Sequence, residues 1–429
     1  RRMIMNLLWD KCDTVKLAEK YGTPLYVLSE SKVREKCQII QKDFLTKYSN
    51  TKAVYASKAF LTTAMCKIID QEGLGLDVVS GGELYTAIQA DFPMNMVEFN
   101  GNNKTLDELE LAVDYQIGRI IVDNAFELEC LEEICRKKNK TMDILFRIVP
   151  EADTDTHEYI STGHKTSKFG VNLLPETIFS IIRKADESDY VNFKGIHFHV
   201  GSQLHDNSSH VNAIHKTLHL VKDLKDKHIE VEELNIGGGF GIFYTEEDTV
   251  KPLDYFIEPS MKTIESYCTE HKLNRPMVII EPGRWIVGEA GITLYKVGAI
   301  KTNGGKTYVN VDGGMSDNIR PSLYQAKYSA DICNKISDKK TDQVTISGKF
   351  CESSDILIKD ILLPKAFPGD ILAVYSTGAY TYSMACNYNK QPIPGVVLVS
   401  EGKDYLMVKR QTYPDLIRNE LMPAHLEVK

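Results

Sequence analysis

The chain has no Cys-x-x-Cys pair, no long basic run and no uninterrupted apolar stretch of membrane-spanning length. Its nine cysteines, at 12, 37, 66, 130, 135, 268, 333, 351 and 386, are odd in number and scattered. That excludes a disulfide framework or a structural zinc knot and fits free thiols in a reducing cytoplasm. A net charge of −8 without a basic tract argues against a nucleic-acid surface. No segment has the length and apolarity of a membrane span. The opening residues Arg1-Arg2-Met3-Ile4-Met5 lack the apolar core and small-residue cleavage site of a secretion signal. The expectation is a cytoplasmic protein that binds neither nucleic acid nor membrane. There is no solenoid repeat and no low-complexity tract. A chain of 429 residues that is 43% hydrophobic can bury a substantial core and is long enough for two or three domains.

What is present is a rhythm of short apolar segments. AVYASK (53–58), GLDVVS (75–80), MVEFNG (96–101), RIIVDN (119–124), DILFRIV (143–149), FKGIHFHVG (193–201), EELNIGGGF (232–240) and MVIIEPGR (277–284) are mostly β-branched and apolar throughout. That is the pattern of strands buried on both faces. Amphipathic helical stretches separate them, so the alternation calls for a parallel sheet. Eight such units in this length predict a closed (β/α)8 TIM-like barrel over 30–285. A doubly wound open sheet fits less well, because the polar groups at strand tips are spread along the chain and not gathered at one switch point. After Trp285 the texture changes to strands separated by Gly, Asn, Asp and Pro: GITLYKVGAI, KTYVNVDGG, QVTISGKF, DILAVYSTG and GVVLVSEGKDYLMVKR. This predicts an all-β C-terminal domain over 286–429. It is joined by the N-terminal segment 1–29, where PLYVLSE reads as an extra strand that pairs with it. The expected class is α/β plus β.

Several strand tips carry chemistry. Lys58 follows the first strand, where a barrel lysine faces the mouth; poor solvation there would favour loss of its proton and Schiff-base chemistry. Taken alone it is equally a snorkelling strand-end lysine. Asn235-Ile236-Gly237-Gly238-Gly239-Phe240-Gly241 offers backbone N–H groups to an anion, or is a plain turn; it lacks the Gly-x-x-x-x-Gly-Lys-Ser/Thr pattern of a nucleotide loop. His197 and His199, two residues apart, share a strand face. No further His or Cys cluster stands nearby, so no metal is expected, and a histidine against a ring, with Ser202 on a phosphate, competes with a hydrogen-bonded core histidine. Glu281-Pro282-Gly283-Arg284 is either an ion pair or a carboxylate for a pyridinium proton beside an arginine for a substrate anion. In the second domain, Cys351-Glu352-Ser353-Ser354-Asp355 is a thiol among carboxylates or a buried cysteine before a turn. Tyr380 is a contact for a bound group or core packing. Asp312-Gly313-Gly314-Met315 reads as turn chemistry alone. A Schiff-base lysine, phosphate-binding glycines, a ring-nitrogen carboxylate and a ring-face histidine together describe a site for pyridoxal 5'-phosphate.

The motifs YASKA, HFHVGSQ, NIGGGFG, EPGRWIV, CESSD and GAYTYSM stand in one order along nearly the whole chain. In this the chain resembles the fold-type III pyridoxal-phosphate-dependent decarboxylases, and within them the branch that acts on meso-diaminopimelate. The resemblance implies an alanine racemase-like fold, a homodimer with shared active sites, and decarboxylation that yields L-lysine and carbon dioxide, the last step of lysine biosynthesis. It implies that Lys58 binds the cofactor covalently and that His199 stacks on its ring. Ser202, Gly238, Gly239 and the Gly283–Arg284 backbone surround its phosphate, Glu281 pairs with the ring nitrogen, and Tyr380 lies against it. Cys351 and Glu352 come from the partner subunit, with Cys351 or Lys58 returning a proton to the substrate carbon. Ser354 stands where the family usually has glycine. The stretch Thr156–Gly163, followed by Ser167-Lys168-Phe169-Gly170, also fits this family.

Substrate choice follows from charge. Diaminopimelate presents a distal ammonium, for which Glu352 is available, and a distal carboxylate. Arg284 and Arg320, the latter with Tyr324 nearby, supply planar donor forks for that carboxylate. Rival readings are another basic-amino-acid decarboxylase (ornithine, arginine or lysine), a racemase, and a non-catalytic regulatory homologue.

Overall fold

The computed structural model describes residues 6–150, 167–173 and 175–427. The chain divides into two compact units, Lys32–Gly288 and Arg1–Ser31 with Glu289–Lys429.

In the first unit eight strands form a closed parallel ring: β1 (Thr51–Ala56), β2 (Gly75–Val78), β3 (Val97–Phe99), β4 (Arg119–Val122), β5 (Met142–Val149), β6 (Val191–His197), β7 (Glu233–Asn235) and β8 (Met277–Ile280). Each pairs with the next in sequence, and β8 pairs with β1 to close the barrel. Val54, Leu76, Val97, Phe99, Ile120, Ile144, Phe146, Ile196, Leu234 and Val278 are wholly buried in its wall. The helices are α1 (Thr63–Gln71), α2 (Gly81–Gln89), α3 (Leu106–Asp114), α4 (Ala125–Lys138), α5 (Pro175–Asp186), α6 (Ser208–Asp226), α7 (Leu253–Glu270) and the single turn α8 (Arg284–Val287). Thr62, Ser80, Thr105 and Asn124 cap the first four, each accepting a backbone N–H of the first turn. Caps of this kind stop a strand-to-helix loop from running on and so fix its length.

The strands end earlier than their apolar runs suggest. Lys58, His199, Ser202, Gly238, Gly239 and Glu281 all lie past the last strand residue, in loops at the C-terminal ends of the strands. That is the face from which a parallel barrel builds its sites.

The second unit is mostly β. Leu25–Ser29, buried along its whole length, lies between Gly291–Asn303, antiparallel, and Gly395–Ser400, parallel. The N-terminal strand therefore does pair with strands after 290. Lys306–Val311, Asp342–Ser347 and Ile356–Leu363 extend the sheet on one side, and Lys403–Val408 forms a hairpin on the other. Among the described residues no helix is long and apolar enough to cross a membrane.

Candidate active site

Glu281 follows β8 and is buried inside the barrel. Its carboxylate is met by three side-chain donors. Asn235, ending β7, and Asn100, just past β3, donate to Oε1 at 2.8 and 3.2 Å. His197, the last residue of β6, has Nε2 3.0 Å from each oxygen and bonds Oε2. Burial pushes this carboxyl upward, but His197, through charge and hydrogen bond, and the Lys58 ammonium outweigh it and bring it down to about 2. A second carboxyl behaves in the opposite way. Asp77, within β2, accepts from the same Asn100 amide at 2.6 Å. Burial, then the neighbouring Glu281 charge, lifts it well above the carboxylate range. Two close carboxyls with proton affinities pushed apart are the arrangement that acid–base sites use.

Around this pair stand the residues singled out from the sequence. Lys58 follows β1 and is exposed, so its own chain does not desolvate it, contrary to expectation. Its charge nevertheless acts on Asp77, Glu83, His199 and Glu281. Burial, followed by the charges of Lys58 and Arg147, holds His199 well below the usual histidine range and therefore neutral. Its Nδ1 accepts the Gly238 N–H at 3.3 Å. The glycines here are required by close approach. A Cβ on Gly238 would come 2.1 Å from the Glu281 carbonyl oxygen, and one on Gly239, at φ +96°, 2.2 Å from the Gly201 oxygen. The run is therefore more than a turn: it packs the three loops after β6, β7 and β8 against each other. Arg284, buried at the start of α8, donates to Ser202 Oγ at 3.0 Å and to the Tyr244 hydroxyl. The guanidinium thus stands with the Ser202 hydroxyl, and Gly283 backs onto Ala56 and Ala59, which flank Ser57-Lys58.

The second unit gathers another set. Arg320 is buried, donates from Nε to the Tyr328 hydroxyl at 2.9 Å, and lies over the rings of Tyr324 and Tyr380 at 5.3 and 5.6 Å. Tyr380 adopts φ +59°, an uncommon conformation for a tyrosine that directs a half-buried ring to this cluster. Cys351 and Glu352 are both exposed, so the reading of Cys351 as a buried packing residue is wrong. Their loop is held from beneath by Asp355, which accepts the Met315 and Phe350 N–H groups at 2.7 and 2.9 Å. Gly314 makes room for that carboxylate, since a Cβ there would lie 2.4 Å from it. Asp312-Gly313-Gly314-Met315 is thus part of the loop's support and more than turn chemistry. Ser354 is not left-handed, so its backbone has no need of glycine. Its carbonyl accepts the Ser322 hydroxyl at 2.7 Å, which ties the Cys351 loop to the short helix Arg320–Tyr324.

The sequence reading missed Asn100, Asn235, Asp77, Tyr244, Tyr328 and Asp355. A signal existed for Asp77: a carboxylate inside a strand otherwise buried and apolar. Thr156–Gly163 lies outside the described residues. Of the motif that follows, Phe169 packs on the Arg147 guanidinium at 4.4 Å and Gly170 N–H bonds Asp123 at 2.8 Å. His197 and His199 do not form a metal pair; His197 is committed to Glu281. Among the described residues no group of three or more His, Cys, Asp or Glu could hold a metal ion.

Residues 30–288 match the family described as pyridoxal-dependent decarboxylase, pyridoxal binding domain. The chain is 47% identical over 401 residues to the diaminopimelate decarboxylase of Bacillus methanolicus, covering 93% of both chains. It is 45% identical over 411 residues to that of Bacillus subtilis (strain 168), covering 95% of this chain and 94% of the relative. The chain belongs to the diaminopimelate decarboxylase family. The crystal structure of the M. jannaschii diaminopimelate decarboxylase in complex with L-lysine superposes with a TM-score of 0.93 at 37% identity, covering 98% of this chain and 97% of that one.

The donor set fits the cofactor that this family implies. An amine stands at a strand tip. An ionised carboxylate is fixed inside the barrel. A neutral imidazole, a serine hydroxyl beside a buried arginine and a crowded glycine run lie near it. Ser57 Oγ, Asn100 Oδ1 and His197 Nδ1 are buried polar atoms that find no partner among the described residues, which is expected of a cavity wall built for a polar group.

Proposed function

We propose that this chain decarboxylates meso-2,6-diaminopimelate to L-lysine and carbon dioxide, using pyridoxal 5'-phosphate, as a cytoplasmic homodimer with shared active sites. The observation that carries the reading is Glu281, a buried carboxylate kept ionised by three donors and within the electrostatic reach of the Lys58 amine. The cofactor, when bound, supplies an aldehyde for covalent capture of an amino group and a protonated ring that accepts the electron pair left by a departing carboxylate.

The chain's own residues do the rest. Lys58 would hold the cofactor through its aldehyde. Glu281 keeps the ring nitrogen protonated, since an anionic carboxylate fixed by hydrogen bonds is a stronger partner than a neutral one. His199 offers a flat uncharged face. Ser202, Gly238, Gly239 and the Gly283–Arg284 backbone hold the phosphate, with the Arg284 guanidinium contributing charge at the Ser202 end and to the substrate's anionic group. Arg320 receives the substrate's distal carboxylate, flanked by Tyr324 and Tyr380; Glu352 receives the distal ammonium. Cys351 returns a proton to the substrate carbon, with Lys58 as the alternative donor. The exposure of Cys351 and Glu352 supports their serving the partner subunit's site. Nine cysteines, all free, support a reducing compartment.

The test is carbon dioxide release from meso-diaminopimelate, L-lysine, L-ornithine and L-arginine. A site built to bind a distal carboxylate discriminates strongly against substrates that lack it. Equal turnover of L-lysine or L-ornithine would replace this reading with that of a broad basic-amino-acid decarboxylase.

A further inference from the structure

Glu281 is held unevenly. Both asparagines bond the same oxygen, Oε1, and each is also engaged elsewhere: Asn100 with Asp77 at 2.6 Å and Asn235 with Glu98 at 3.0 Å. Two donors converging on one oxygen leave the carboxylate free to pivot about it. His197 is the side chain whose hydrogen bond reaches the other oxygen, Oε2, its Nε2 lying 3.0 Å from each oxygen of the carboxylate.

His197 is 1% exposed, and its Nδ1 is buried with no partner among the described residues. A buried unpaired polar atom is costly, so the bond from Nε2 to Glu281 is what offsets the burial of this ring. Its position is set by strand register: His197 stands opposite Asn235 on β7 and Arg147 on β5. The charged and titratable groups around it are Glu281 from β8, Arg147 from β5 and His199 from its own strand's extension, with Asp77 on β2 and Lys58 after β1 acting on the same carboxylate. Glu281 accepts only, so Nε2 carries the proton.

We infer that His197 is a positioning residue for Glu281: its Nε2–H fixes Oε2 and thereby the direction in which the carboxylate faces the cofactor's ring nitrogen. The inference rests on the proposed cofactor site and deepens it. Asn100 and Asn235 do not replace it, since both bond the opposite oxygen.

The experiment compares His197→Gln, which keeps a neutral donor at the reach of Nε2, with His197→Met, of similar length and without a donor. Pyridoxal phosphate is titrated into each apoprotein, and the absorption band of each holoenzyme is followed against pH. His197→Met is expected to weaken cofactor binding about tenfold to a hundredfold, the usual effect of losing a hydrogen bond to a charged group. It should also displace the pH at which the band changes, and lower kcat more than it raises KM. His197→Gln should restore all three to within about threefold of wild type. Independently of either variant's folding, nitrogen NMR of imidazole-labelled wild-type holoenzyme should find the His197 proton on Nε2. A methionine variant with wild-type affinity and band, a glutamine variant no better than methionine, or an Nε2 that carries no proton overturns the inference. If the wild type itself develops no band with pyridoxal phosphate, the cofactor reading falls first, and that result is distinct from the other three.

Discussion

Lys58 and Glu281 mark opposite limits of what a residue's position in a sequence says. The lysine is legible because a cation directly after an apolar strand has few reasons to be there. Its exposure is not legible, because solvation depends on loops hundreds of residues away. Lys58→Ala should abolish covalently held cofactor and turnover. Borohydride reduction of the wild-type holoenzyme followed by peptide mapping should label Lys58; a label on another lysine would refute the assignment. Glu281→Gln should keep cofactor but slow decarboxylation: a charge-assisted hydrogen bond is worth about 1.5–3 kcal/mol, or roughly tenfold to a hundredfold in rate if expressed fully in the transition state. Single-turnover rates measure this directly. Asp77 gives a prediction of opposite sign. Its folded pKa is raised, so the stability it contributes is present below the ordinary aspartate value of about 3.9 and is lost as pH rises toward the folded value. Asp77→Asn, which keeps the shape, should therefore match wild type in thermal unfolding near pH 4 and exceed it near pH 8. An equal difference at both pH values would show that Asp77 does not titrate in this way.

At the scale of elements, the eight barrel strands were readable because burial on both faces leaves an apolar run that no amphipathic helix imitates. Their ends were not readable. HFHVG and NIGGG look continuous with the strands before them, yet β6 stops at His197 and β7 at Asn235. The apolar character of those loops comes from packing on neighbouring loops, not from strand pairing. Ile356–Leu363 was missed for a related reason. Lys359 and Asp360 interrupt its apolar pattern where the register shifts, and Asp360 is left-handed at φ +54°, so the alternation that reveals a strand is broken. The loop contacts make a sharp prediction. Gly238→Ala must displace the Glu281 carbonyl, and overpacking of this kind typically costs about 1–3 kcal/mol. Apoprotein melting should show that loss, and cofactor titration should show weaker binding; an unchanged melting temperature would mean the loops are looser than their packing implies.

For the whole molecule, the order of six motifs was more informative than any of them singly, and it led to the family that the comparisons then established. If Cys351 acts across a two-fold interface, mixing inactive Lys58→Ala and Cys351→Ala chains should regenerate one intact site per heterodimer, approaching about a quarter of wild-type activity for random pairing. Absence of recovery after demonstrated subunit exchange would assign Cys351 to its own chain's site.

The strand Leu25–Ser29 adds a matter of timing. Its two sheet partners begin about 260 and 370 residues downstream, so at a synthesis rate of about 5–20 residues per second it waits roughly 20–70 s for its last neighbour. Throughout that interval five residues destined for full burial are an unpaired, apolar edge, the kind of segment that recruits foreign strands. The barrel, complete by Gly288, has every partner it needs long before. A nascent chain stalled after the barrel would therefore carry a folded catalytic half with an adhesive leader. Ribosome-associated factors that shield short apolar segments should matter more for this protein than its stable barrel would suggest.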